Sequence, residues 1–202
     1  MSTPSYTLND FREKILPLRS QMVVRNTWLK LRLETVIPQI MQREGFDLWL
    51  VIAREYNEDP VIMTLIPEPS MAARRRTILM FHRQPDGTVE RLSVDRYGYG
   101  EFYTQAWNPD KEGQHECLAR LIQERDPQVI GINFSDDFAF GDGLTFSEHQ
   151  TLLNAIDPAY HKRIRSAERL CLGWLESRIE PELIVYPGLV EMGHALIDEA
   201  FS

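Results

Sequence analysis

The sequence predicts an α/β domain, a mixed β-sheet with helices on its faces, followed by a C-terminal connector helix. Three observations carry that expectation. Asp47 to Ala53 is an almost unbroken apolar run, the pattern of a central strand covered on both faces. Thr77 to Arg83 and Thr88 to Val94 flank Gln84-Pro85-Asp86-Gly87, and a proline followed by Asp-Gly between two strand-like runs marks a hairpin. Segments with apolar residues at three- and four-residue spacing stand before, between and after these strands. A chain of 202 residues with 43% hydrophobic content can bury the core that such a domain needs.

Taken in order, Asn26 is placed to cap a helix carrying Leu29, Leu33, Val36, Ile37, Ile40 and Met41 on one side and ending at Gly45. Pro38 should kink it, because proline removes one backbone hydrogen bond and crowds the preceding turn. The buried strand comes next, then a dense polar loop, Arg54 to Pro60, then the hairpin. Tyr97 to Trp107 is rich in tyrosine and glycine and follows neither period. Asp110 is placed to cap a helix with Leu118, Leu121 and Ile122 inward, which Asp126-Pro127 stops before a strand at Val129 to Phe134. Ser147 is placed to cap a further helix through Leu153 and Ile156, with Phe146 as a hydrophobic staple in front of it.

The last segment opens on Glu180-Pro181-Glu182, where proline fits the first turn and carboxylates favour the positive end of the helix dipole. Val185, Leu189, Met192, Leu196 and Ala200 form one stripe, and Tyr186, Val190, Ile197 and Phe201 a neighbouring one. More than half the circumference therefore wants cover. No glycine or basic turn closes this helix, so it is expected to dock on a second domain that the sequence does not contain.

The charge narrows the function classes. Thirty acidic residues against 22 basic ones give a formal charge of −8, whereas a nucleic-acid partner asks for a basic surface. The run Arg74-Arg75-Arg76 is too short to change that expectation. Met1 to Asp10 has neither a basic start nor an apolar core, and Leu48 to Ala53 is far too short to span a bilayer. Cys117 and Cys171 lie far apart in helix-like segments, as reduced thiols in a core would. The expectation is a cytoplasmic protein with neither nucleic acid nor membrane as partner.

For chemistry, the loop Arg54-Glu55-Tyr56-Asn57-Glu58-Asp59-Pro60 directly follows the buried strand, and ligand sites in open α/β sheets gather beyond the carboxyl ends of strands. It reads either as a ligand or partner site or as plain solvated loop, with Arg54 then paired to Glu55, Glu58 or Asp59. His115-Glu116-Cys117 holds three metal-ligand types, but consecutive helical residues point apart and cannot close one coordination shell. Asp136, Asp137 and Asp142 with Glu148 and His149 match no calcium-loop spacing and read as an acidic surface turn. There is no Gly-x-Ser-x-Gly elbow, and Gly98-Tyr99-Gly100 and Gly141-Asp142-Gly143 read as turns rather than phosphate cradles. Trp28, Trp49, Trp107 and Trp174 read as packing residues.

Taken together, Arg32-Leu33 to Met41 and Gly45, the strand Phe46 to Ile52, and the loop Arg54 to Pro60 resemble the N-terminal domain of the creatinase, prolidase and Xaa-Pro aminopeptidase family. Trp174-Leu175-Glu176, Glu180 to Leu183 and Leu189-Val190-Glu191 are similar to the connector and first helix of that family's pita-bread catalytic domain. The resemblance implies a ribonuclease H-like fold over residues 1–165, and a connector with the first helix of a missing domain over 166–202. It implies no activity in the chain as given, with the parent protein a metallo-aminopeptidase or related hydrolase. Two divalent ions, manganese, cobalt or zinc, would sit in the missing catalytic domain, on ligands that have no counterpart here. The implied partners are the chain's own catalytic domain and further copies in a homodimer or higher homo-oligomer. Arg54, Glu55, Tyr56 and Asn57 are then the residues placed to touch substrate or partner, and no residue of this chain is assigned to catalysis or metal. A stand-alone binding or adaptor protein derived from the same domain is the competing reading.

Overall fold

The computed structural model describes residues 7–70 and 72–201; the first six residues of the polar N-terminal stretch, Met71 and Ser202 lie outside the described residues. In chain order the elements are α1 (Leu8–Arg12), α2 (Leu18–Glu44), β1 (Leu48–Arg54), α3 (Pro60–Leu65), β2 (Arg76–Arg83), β3 (Val89–Ser93) and β4 (Thr104–Gln105). They continue as α4 (Gln114–Arg125), β5 (Ile130–Ile132), α5 (Phe146–Ala155), α6 (Pro158–His161), β6 (Ile164–Ser166), α7 (Glu168–Glu176) and α8 (Glu180–Phe201). The chain divides into two compact units, Leu29–Ser177 and a smaller one drawn from Met1–Trp28 and Arg178–Ser202.

The larger unit holds the whole sheet, in the order β4-β3-β2-β1-β5-β6. β1 runs antiparallel to β2 and β2 to β3, whereas β1–β5, β5–β6 and β3–β4 are parallel, so the sheet is mixed as expected. The hairpin register is closed by Gly87 at φ +87°, a left-handed turn position that suits a residue without Cβ. Six of the seven residues of β1 are buried, which is why its sequence does not alternate. Leu48, Leu50 and Ile52 meet Leu118, Leu121 and Ile122 of α4 and Leu152 of α5 in one apolar cluster. By the pleat, Trp49, Val51 and Ala53 face the other way. They are equally buried, and Trp49 lies 5.4 Å from Phe81, ring centre to ring centre.

α7 is fastened to its neighbours by polar contacts that the interior makes strong. The guanidinium of Arg32, from α2, lies 4.3 Å from the ring centre of Trp174 and donates to the carbonyls of Trp174 and Ser177. The Trp174 indole N–H donates to the Thr64 hydroxyl of α3 at 2.8 Å.

Several boundaries differ from the sequence expectation. Asn26 is interior to α2, which begins eight residues earlier at Leu18: Arg19, Gln21, Met22 and Arg25 are strong helix formers, and one asparagine costs little against them. Pro38 stays within that helix. α4 starts after Gly113, whose N–H donates to the Glu116 carboxylate at 2.8 Å, while Asp110 is held in a turn by the Asn108 side chain. α5 is capped by Thr145, not Ser147, and Phe146 is 79% exposed, so it makes no staple.

In the smaller unit α8 begins where expected, with the Ile179 N–H donating to Glu182 at 2.9 Å. Its only buried residue is Ala195, and Leu183, Ile184, Leu189, Val190, Leu196, Ile197 and Phe201 are at least half exposed. Phe11, Leu16, Val24, Trp28, Val185 and Leu189 line a mainly apolar groove of about 490 Å³ within this unit. Among the described residues, no helix is long and apolar enough to cross a membrane.

Candidate functional site

Arg54 is the last residue of β1 and stands opposite Arg76, the first of β2. Two guanidiniums side by side need a shared anion, and Glu148 from the first turn of α5 supplies it. Arg76 grips Glu148 with two bonds, Nε to Oε2 at 2.6 Å and Nη2 to Oε1 at 2.9 Å. The Nε of Arg54 stands 3.6 Å from Oε1. The Glu148 side chain is only 3% exposed, whereas that of Arg54 is 53% exposed. Glu148 is therefore a buried ion-pair centre and not part of an acidic surface turn. Burial lowers the pKa of His115, and the Arg76 charge lowers it further against the pull of Glu148, so His115 is a neutral imidazole at pH 7.

The rest of the loop is built on backbone contacts. Asn57 N–H donates to the Arg54 carbonyl at 3.0 Å, closing a tight turn with Tyr56 at φ +69° and 93% exposed. Glu55 N–H donates to the Arg75 carbonyl at 3.1 Å. Glu58 accepts from the Ala73 N–H at 3.0 Å, and Asp59 caps α3 by accepting from the Ile62 N–H at 2.7 Å. These two carboxylates are committed to N–H groups, and the acid that faces Arg54 lies 94 residues away in sequence.

Beside this loop two clefts share Glu55, Arg74 and Tyr97. One, of about 460 Å³, has Arg74, Arg75, Arg76 and Arg96 in its wall, with Tyr97, Trp107 and Gln114. The other is bounded by Asp95, whose carboxylate is 1% exposed and accepts from the N–H groups of Tyr97 and Gly98 and from the Thr77 hydroxyl. Among the described residues no three His, Cys, Asp or Glu side chains gather as a metal site. Both cysteines are free and buried; burial raises the Cys117 thiol pKa to about 11, with Glu112 adding to it, which leaves it an inert thiol.

With that geometry in place, a comparison of structures finds likeness to a solved Xaa-Pro dipeptidase from Bacillus anthracis, at a TM-score of 0.52 and 11% sequence identity. The match covers 77% of this chain and 38% of that one. At such identity the likeness shows the fold alone. The mixed six-stranded sheet flanked by helices is the creatinase N-terminal type of fold that the sequence led us to expect. No protein-family model matches the chain, and no curated protein matches it in sequence.

Asp59 was legible only as a loop acid, yet it is buried at the root of this site. Burial raises its pKa above the usual carboxylate value, against the lowering effect of the Ile62 N–H. A raised folded-state pKa means that the stability it contributes is full below the unfolded pKa and is lost as pH rises through the folded one. Asp59→Asn keeps a good helix cap and removes that loss. Its melting temperature is expected to gain on the wild type as pH goes from 4 to 7, by a few degrees. Parallel melting curves that stay superimposed across that range would refute the buried charge.

Proposed function

We propose that this chain is the non-catalytic N-terminal domain of a metal-dependent Xaa-Pro aminopeptidase or prolidase-like hydrolase, serving assembly and the shaping of the substrate cleft. The observation that carries the reading is the shared fold, a mixed sheet with helices on its faces like part of a Xaa-Pro dipeptidase. Activating water with two divalent ions requires a converging set of ligands. In this reading manganese, cobalt or zinc is held by a catalytic domain that follows this one. The exposed apolar residues of α8 give that domain a surface to dock on. The enzyme would be a cytoplasmic homodimer or higher homo-oligomer, in which the Arg54–Asn57 loop of one copy reaches the substrate cleft of another.

Two experiments test this. The parent reading frame should continue past Ser202 into a segment bearing two aspartates, one histidine and two glutamates, and its product should cleave an Xaa-Pro dipeptide in a metal-dependent way. In that protein Arg54→Lys should raise KM or weaken assembly, because an ammonium cannot copy the planar two-pronged grip of a guanidinium. The melting temperature should hardly move, since Arg76 still neutralises Glu148. Unchanged kinetics and assembly in the variant would remove Arg54 from the site; a parent protein without metal-dependent hydrolysis would end the enzyme reading.

A further inference from the structure

We propose that the cleft walled by Arg74, Arg75, Arg76, Arg96, Tyr97 and Trp107 is a binding site for a phosphate group, either inorganic phosphate or the phosphoryl group of a small metabolite. Four arginines line one cavity of about 460 Å³ whose wall holds a single acidic residue, Glu55. Only Arg76 is spent, in its bidentate pair with Glu148. Arg74 lies 5.7 Å from the Tyr97 ring centre, and among the described residues no carboxylate pairs with Arg74, Arg75 or Arg96. In a chain of net charge −8, three adjacent unpaired guanidiniums repel one another and focus a positive field into the cleft.

The wall is also pre-organised. Arg75 sits at φ +53°, a left-handed conformation that a long side chain adopts at a cost, and such strain is tolerated where the surroundings fix it. Here the fixing contacts are Glu55 N–H to the Arg75 carbonyl at 3.1 Å and Arg74 N–H to the Thr77 hydroxyl at 3.2 Å. The Gln114 amide donates to the carbonyls of Arg76 and Val94, at 3.1 and 2.6 Å, and buried Asp95 holds the turn that presents Arg96 and Tyr97.

The number of free guanidiniums selects the ligand. A monocarboxylate is saturated by one guanidinium fork, whereas a phosphate dianion has oxygens for several. An extended nucleic acid would need a basic surface running beyond the cleft, which an acidic chain does not offer.

The test is isothermal titration of the full chain at constant ionic strength with inorganic phosphate, glucose 6-phosphate and acetate. One saturable site for phosphate or the phosphomonoester is expected, and whichever binds tighter identifies the source. Arg75→Gln with Arg96→Gln, both exposed, should weaken binding at least about tenfold through the loss of charge-assisted bonds. A control removing the same charge elsewhere, Lys162→Gln with Arg165→Gln, should leave binding intact. Absence of saturable binding, acetate binding as tightly as phosphate, or equal losses in the two double variants would overturn the proposal.

Discussion

Replacing Glu148 with alanine is expected to destabilise the larger unit by about 3 kcal/mol, the loss seen when one partner of a buried ion pair is removed. The carboxylate is 3% exposed and accepts two bonds from Arg76 while standing 3.6 Å from Arg54. Its removal leaves two guanidiniums facing each other across neighbouring strands, with Arg76 mostly enclosed at 28% exposure. That partial exposure lets water recover some of the cost, which keeps the figure at the lower end of the buried-pair range of roughly 3–5 kcal/mol. For a unit of this size such a loss lowers the melting temperature by roughly 6–12 °C. Glu148→Gln keeps the shape and one acceptor oxygen, so it should fall between the wild type and Glu148→Ala. Thermal melts of the three proteins decide it: coincident curves would mean that the pair contributes nothing to folding. The contrast with Arg54→Lys then separates the residue that holds the corner together from the residue free to contact something else.

How much of this was legible depended on whether the determining contact was local. The buried strand and the hairpin announce themselves because burial on both faces and turn chemistry are written into consecutive residues, Leu48 to Ala53 and Gln84 to Gly87. The inward residues of α2 were readable from their spacing, but its start was not, since Asn26 carries the same cap chemistry wherever it occurs and here sits mid-helix. α3 begins on the last residue of the polar loop and was not anticipated, although Asp59-Pro60 is a cap followed by proline at the first helical position and could have revealed it. The candidate loop was found by its place after a central strand. Its electrostatics were not, because Glu148 meets Arg76 across 72 residues and no local pattern records such a pairing. The arginine cleft failed for a related reason: Arg74, Arg75 and Arg76 were visible as a short run, but Arg96 joins them only through the fold.

Gly143 is the sharpest case of a requirement set by the fold, and Gly143→Ala is expected to cost about 2–4 kcal/mol from crowding and a lost helix cap together. Nothing in Gly141-Asp142-Gly143 distinguishes it from any glycine turn. In the structure, however, a Cβ on Gly143 would stand 1.6 Å from Oδ2 of Asp59, 2.4 Å from its Cγ and 2.7 Å from its Cβ. Rotating the carboxylate alone does not clear those last two atoms, so the main chain near Asp59 or near Gly143 has to move. Moving Asp59 breaks its bond from the Ile62 N–H, and with it the cap of α3. Asp59→Gly supplies the control: it removes the atoms in the way, and glycine is itself a tolerable cap. In that background the alanine should cost at least about 1 kcal/mol less than in the wild type, a coupling that urea melts of the four proteins resolve. An additive cycle, or a Gly143→Ala protein as stable as the wild type, would show that the loop has room that the close approach to Asp59 denies.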